Sequence, residues 1–382
     1  MQDHSHFLII VLKSLTRYVL VLPLLLISIY SFSQEVGEEL PFKKKKRNKK
    51  YVLFPVIVKS PEYRWGGGAA GIYYFKLKKD SITRTSNIKV VSFFTLRKQL
   101  VVASEGYVYF PGEKFIFHYA TSASHFPDKF WGVGNLTENS NEENYAISQF
   151  GAYPQLLREI RPHLFAGVGY EFHNVFQFQY NSNNGQSLFD QEDILGRYGS
   201  KISGSGVILS WDSRNNAFSP NKGFFIQYYI NAYRNFLGSD YNFNIQNLDA
   251  RKYFDLHHER VLAFQFNMIA TNGQVPIRDL ANIGTNSYMR GYYEGRYQDK
   301  DLVAFQTEYR TPVYKRWGVA IFTGAGKVGN KLRTALNFEK LKPSLGLGIR
   351  YAINREEKLN LRVDQGFGQK SQGSYINMGE AF

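Results

Sequence analysis

From Tyr51 to Phe382 the chain is written in runs where apolar and polar residues alternate. Val303, Phe305, Thr307 and Tyr309 would share one face of a strand, and Ala304, Gln306, Glu308 and Arg310 the other. Leu262, Phe264, Phe266 and Met268 alternate with Gln265 and Asn267, and Leu359, Leu361 and Val363 with Asn360, Arg362 and Asp364. The pattern predicts sixteen strands, at 51–59, 67–79, 87–97, 99–110, 113–122, 144–153, 161–173, 199–211, 222–235, 240–254, 257–271, 301–311, 316–328, 342–351, 358–367 and 373–382. Pro55 interrupts the first of these, and proline within a sheet belongs at edges or bulges.

Alternation alone fits a soluble sandwich with its apolar face inward, or a membrane barrel with its apolar face outward. Connection lengths separate the two. Short turns at 110–113, 255–257, 312–315 and 354–357 alternate with long polar segments at 130–144, 175–198, 272–300 and 329–341. Short turns at one end and long loops at the other mark a transmembrane β-barrel, and closure removes the free edges that an open sheet of this size would leave. The expected fold is therefore all-β, a transmembrane antiparallel barrel of about sixteen strands spanning 51–382. Tyr233, Phe236, Tyr253, Tyr309, Trp317 and Tyr351 stand at strand ends, where interfacial aromatic girdles belong.

The N-terminus supports export. Lys13 and Arg17 precede the apolar run Tyr18–Ile29, and Ser31 and Ser33 follow. This order predicts a secretory signal peptide over 1–33, cleaved after Ser33. Residues 34–50 form a basic periplasmic tail. Its run Lys43–Lys50 carries seven of the positive charges behind the net charge of +15, so the high charge is largely local. A charge block without aromatics reads as a solvated linker, and export argues against a nucleic-acid partner. The chain has no cysteine, which excludes disulfides, zinc–thiolate sites and cysteine nucleophiles.

Three motifs stand out. Gly206–Gln227 contains Asp212, Arg214, Pro220 and Gly223; the two charged residues share a strand face and can tie down a turn whose geometry Pro220 and Gly223 set. Met289–Asp299 reads MRGYYEGRYQD, with Arg290, Gly291 and Tyr292 at its head. Tyr375–Phe382 ends the chain as YINMGEAF, with Ile376, Met378 and Phe382 expected on one strand face.

Together these motifs resemble the BamA/TamA superfamily of outer-membrane barrels, also called bacterial surface antigen proteins, over roughly 51–382. The resemblance implies an outer-membrane location in a Gram-negative bacterium. It makes the first motif a periplasmic turn, the second the tip of a long extracellular loop folded inside the barrel, and the third the C-terminal strand signal read by the barrel assembly machinery during insertion. In the family the loop arginine meets acids from the next two strands. Glu308 stands at the first place, which implies an Arg290–Glu308 pair. At the second place the usual Phe-x-Asp-x-Gly reads Phe322-Thr323-Gly324-Ala325-Gly326, so the aspartate is replaced by Gly324. Either the loop is anchored more weakly or another acid, such as Asp364, substitutes. The resemblance is to a barrel-only branch without POTRA domains, which leaves client delivery open.

No nucleophile elbow, His-Glu-x-x-His, Walker loop or dinucleotide motif occurs. His257 and His258 read as turn residues. No catalytic residue, metal ligand or cofactor is nominated, and no enzyme is expected. The expected function is to aid insertion or transport of protein or lipid through a lateral seam between the first and last strands, with outer-membrane lipids and an unfolded protein or lipid client as partners. The alternative is a passive channel or a structural barrel.

Overall fold

The computed structural model describes residues 51–78, 83–216, 219–355 and 358–382. The signal peptide and the basic tail lie outside the described residues. The strands are β1 (Tyr51–Ser60), β2 (Arg64–Phe75), β3 (Ser86–Thr95), β4 (Leu100–Tyr109), β5 (Phe115–Phe130), β6 (Glu143–Arg161), β7 (Leu164–Tyr180), β8 (Ser200–Asp212) and β9 (Gly223–Tyr233). They continue as β10 (Phe243–Asp255), β11 (Val261–Gly273), β12 (Ala281–Ile283), β13 (Tyr297–Asp299), β14 (Asp301–Tyr314), β15 (Trp317–Gly329), β16 (Lys342–Asn354), β17 (Leu359–Gly368) and β18 (Ser371–Met378). Among the described residues, sixteen of them close an antiparallel barrel in chain order, with β18 returning to β1. The remaining two, β12 and β13, form a separate two-stranded sheet inside the long connection between β11 and β14, and Gln298 of β13 also bridges to Gly134.

The two faces of the wall settle the ambiguity that alternation leaves open. Ile321 is 50% exposed and its neighbour Phe322 only 2%. Val207, Leu209, Trp211, Phe305, Leu345 and Leu347 are exposed, whereas Gln265, Asn267, Gln306, Glu308, Arg350, Arg362 and Asp364 are buried. Apolar outside and polar inside is the reverse of a soluble sheet and is the solvent logic of a barrel in lipid.

Two prolines lie inside strands that the pattern ends early. β5 runs on through Pro127 to Phe130, and β6 through Pro154 to Arg161. Pairing between β6 and β7 lapses across Tyr153 and Pro154 and resumes in the same register at Gln155–Gly169. Proline lacks an N–H, and the ladder tolerates it at that gap.

The last strand is shorter than its pattern suggests. β18 stops at Met378, where the sequence predicts continuation to Phe382. The Gly379 N–H bonds the Asn360 carbonyl at 2.8 Å. Phe382 therefore does not share a strand face with Ile376 and Met378. It is buried in a cluster with Tyr253, Ala263 and Ala381, and its main-chain oxygen accepts a 2.7 Å bond from Arg310. Ionic and apolar partners inside the barrel outcompete continuation of the strand.

The early stop shapes the closure. β1 and β2 pair continuously from Tyr51–Tyr73 to Ser60–Arg64. Between β1 and β18 the register holds a single pair, Lys59 opposite Ile376. Because β18 ends at Met378, the first half of β1, which includes Pro55, has no partner in β18.

Candidate functional site: the loop tip and the seam

The connection from β11 to β14 folds back against the inner wall. Its tip is held by charge. Arg290 is fully buried, and its guanidinium bonds Glu308 of β14 at 2.5 Å and Asp364 of β17. The same guanidinium lies 3.5 Å above the Phe322 ring of β15. Arginine stays charged inside proteins, so its burial requires such anionic partners.

The second acid therefore comes from β17. The position on β15 cannot supply one: a Cβ at Gly324 would lie 2.8 Å from the Phe305 carbonyl oxygen and 2.9 Å from Gln306 Cβ. Asp364 occupies the role on a neighbouring stretch of wall.

The pair is part of a larger network. Glu308 also accepts from Arg310 at 2.7 Å and Arg350 at 3.3 Å. Asp364 accepts from Arg350 at 2.6 Å and has the Arg362 guanidinium at 3.6 Å. Glu380, beyond the last strand, accepts from Arg350 at 2.7 Å and from Asn360 at 2.8 Å. Four guanidinium groups thus share three carboxylates, with the C-terminal segment drawn in among them.

The backbone of the tip lies flat on β17. Gly291 has φ +113°, and a Cβ there would sit 2.6 Å from the Phe367 nitrogen; a Cβ on Gly366 opposite would sit 2.7 Å from the Gly291 nitrogen. Only glycine permits this approach on both sides. Tyr292 donates its hydroxyl to the Pro343 carbonyl at 2.6 Å and accepts from the Gln369 N–H at 2.8 Å.

The loop also bridges the seam. On the β18 side, the Tyr375 hydroxyl accepts from the Gly291 N–H at 2.9 Å and donates to the Tyr292 carbonyl at 3.2 Å. On the β1 side, Glu62 in the turn to β2 accepts from the Glu294 N–H at 2.7 Å. Adjacent loop residues thus hold both sides of a junction that carries one backbone register pair.

At the short-turn end, Asp212 accepts from the Arg214 backbone N–H at 3.2 Å and from its guanidinium at 2.8 and 2.9 Å. Pro220 is buried, and Gly223 starts β9 at φ +100°. This motif forms a local turn between β8 and β9 and takes no part in the lumen network. Of the motif residues, Arg290, Gly291, Tyr292 and Glu308 come together, and Phe382 touches the network directly at Arg310. Ile376 faces Lys59 across the seam, and Met378 is exposed on the outer wall. Sequence reading misses Arg310, Arg350, Arg362, Glu380 and Tyr375. Their only signal is a charged or hydroxyl group on the polar face of a strand, repeated at i and i+2 in Glu308–Arg310 and Arg362–Asp364.

The Omp85 superfamily domain matches residues 101–382. The chain belongs to the Omp85 superfamily. As an Omp85 barrel it is a protein of the bacterial outer membrane. The structure of BamA from Haemophilus ducreyi lacking POTRA domains 1–3 superposes with a TM-score of 0.57 at 11% identity, over 86% of this chain and 70% of that one. CdiB from Acinetobacter baumannii superposes with a TM-score of 0.55 at 13% identity, over 86% of this chain and 60% of that one. At these identities the likeness is one of fold. No curated protein matches the sequence.

Proposed function

We propose that this Omp85 barrel aids the insertion or transport of protein or lipid at the outer membrane by opening between β1 and β18. The observation that carries the reading is the lone Lys59–Ile376 register pair, against continuous ladders on either side. Each missing ladder bond lowers the cost of separating the strands, and an unpaired half of β1 offers an edge that another strand could join. Outer-membrane lipids and an unfolded protein or lipid client are the partners this function requires. The barrel assembly machinery, acting on the Tyr375–Met378 strand end, would insert the protein itself.

The absence of native cysteine makes the test direct. Cysteines placed at Lys59 and Ile376 lock the seam on oxidation. In liposomes, oxidised protein should lose assisted folding of a client barrel or lipid transfer, and reduction should restore it. Activity equal in both states would remove the seam from the mechanism.

A second reading, a passive pore, draws on the cavity of about 360 Å³ bounded by residues of β2 to β6, including Lys89, Ser104 and Glu105. Steady single-channel conductance that persists in the locked barrel would support it.

A further inference from the structure

A second polar cluster lies on β7, away from the seam and from the arginine network. Glu171 and His173 share the inner face of β7, and Asp279 reaches them from the loop between β11 and β14. One donor atom from each of the three lies within 4.8 Å of the others. The His173 side chain is 4% exposed, and that of Asp279 is 6% exposed. His173 Nε2 bonds Asp279 Oδ2 at 3.2 Å. His173 Nδ1 is buried and has no hydrogen-bond partner; Glu171 Oε1 lies 3.9 Å from it.

Three features of this arrangement suit a cation. Two carboxylates flank one imidazole, and among the described residues no lysine or arginine forms an ion pair with either. Arg278, beside Asp279, hydrogen-bonds Gln149 at 2.8 Å. Two carboxylates thus face one imidazole in a largely buried place. A buried polar atom without a partner is costly, and the unpartnered atom here is a nitrogen aimed at a carboxylate. Glu171 is also fixed in orientation: its Oε2 accepts from Tyr233 at 2.5 Å and from Asn231 at 3.0 Å, which leaves Oε1 free.

We propose that Glu171 and His173 bind a divalent transition-metal ion of the zinc type, with Asp279 as the carboxylate that orients the ring. With Nε2–H donating to Asp279, Nδ1 presents its lone pair toward Glu171. A metal-bound histidine characteristically ties its other nitrogen to a carboxylate in this way. Donor atoms about 2.0–2.2 Å from an ion stand roughly 3–3.5 Å apart, so the 3.9 Å gap closes with a small side-chain adjustment. Nitrogen and carboxylate donors suit zinc better than the all-oxygen shells of calcium or magnesium. Because Glu171 is partly open to the lumen, water can complete the shell and the ion can enter. The bound ion would fasten the loop, through Asp279, to the wall about halfway round the barrel from the seam.

The test uses the full barrel in detergent, purified through a tag without histidine and stripped with a chelator. Titration with zinc chloride should show one saturable equivalent, raise the melting temperature and protect the β11–β14 loop from protease. His173→Ala should lower the affinity at least tenfold, and Asp279→Asn about 10–100-fold. His118→Ala is the control, since that ring already bonds Glu105 at 3.2 Å and lies near Gln155 at 3.4 Å. It should bind zinc as the unaltered protein does. Should His173→Ala fail to give a heat-modifiable barrel on a gel, Glu171→Gln takes its place. Zinc uptake by the unaltered protein no greater than by these variants would overturn the proposal. So would full displacement of zinc by equimolar magnesium, or a melting temperature indifferent to zinc. In those cases His173 is a structural side chain that links β7 to the loop through Asp279.

Discussion

Two adjoining parts of the wall hold the loop tip and are built in opposite ways. From β14 to β17 the ladders are long, interrupted only by irregularities at Pro312–Tyr314 and Ala352–Asn354, and the inner face carries a buried ionic network that grips Arg290. Between β1 and β18 one register pair closes the sheet, and the inner face offers the loop only hydrogen bonds, through Tyr375 and Glu62. Charge pairs hold the loop on the strong side, while single polar contacts hold it at the weak side. The proposed opening at the seam requires the rest of the circumference to stay shut, and the gripped loop ties β14 to β17 through Glu308 and Asp364. The predictions below separate these two kinds of fastening.

The largest effect should come from removing an acid. Four guanidinium groups share three carboxylates, so Asp364→Asn leaves four against two. Breaking a buried ionic set this way costs about 3–5 kcal/mol. The loop should become protease-sensitive, and the unfolding midpoint of the barrel in urea should fall. Arg290→Ala leaves three against three. Its loss should be smaller, about 1.5–3 kcal/mol for hydrogen bonds to charged groups, with the loop freed but the barrel still heat-modifiable. Equal effects of the two changes would show that charge balance does not govern the grip. Gly324→Asp should not restore anything, because its Cβ meets the Phe305 carbonyl; it should destabilise the barrel even with Asp364 present.

The barrel was legible in the sequence because a period of two records which residues meet lipid, and the alternation of short and long connections separates a membrane barrel from a soluble sandwich. Partner choice inside the lumen was legible only in part. The resemblance picks out Glu308 for Arg290, since both sit within recognisable motifs. Asp364 could be named only as one substitute, because β14 and β17 approach the same guanidinium from strands that are not neighbours. Alternation says that Arg350 and Arg362 point inward, but it carries no depth or direction across the lumen. The C-terminal segment reads as strand because Ile376, Met378 and Phe382 keep the apolar period, with Glu380 between them. Nothing in the period reveals that Arg310 and Arg350 pull Glu380 and Phe382 off the ladder. Pro55 was the one local sign that β1 would pair poorly.

On the weak side, Tyr375→Phe should act next. It removes the acceptor for the Gly291 N–H and leaves that donor buried, a loss of about 1–3 kcal/mol. The effect should appear as faster hydrogen exchange in β18 and in the tip, with β14 to β17 unchanged. Spread of the effect to β14 would mean that the two sides are one cooperative unit.

The smallest effect should be a dependence on pH confined to the β1 side. Burial, helped by the charge of Glu294 beside it, pushes the Glu62 carboxyl from 4.5 up to about 8. The group is therefore protonated at neutral pH in the folded barrel. A carboxyl raised in the folded state contributes stability in acid: the contribution is fully present below about 4.5 and is lost as pH rises through about 8. Ionised Glu62 must then lie buried beside Glu294, which weakens the turn's hold on the loop. Hydrogen exchange at Glu294 and in the β1–β2 turn should accelerate above pH 8, beyond the intrinsic rise of exchange with pH, while the Arg290 tip stays protected. Glu62→Gln keeps the acceptor without the charge and should flatten that extra rise. A rise that persists in this variant would assign the pH response to another group, and one that reaches the tip equally would erase the distinction between the two sides of the loop.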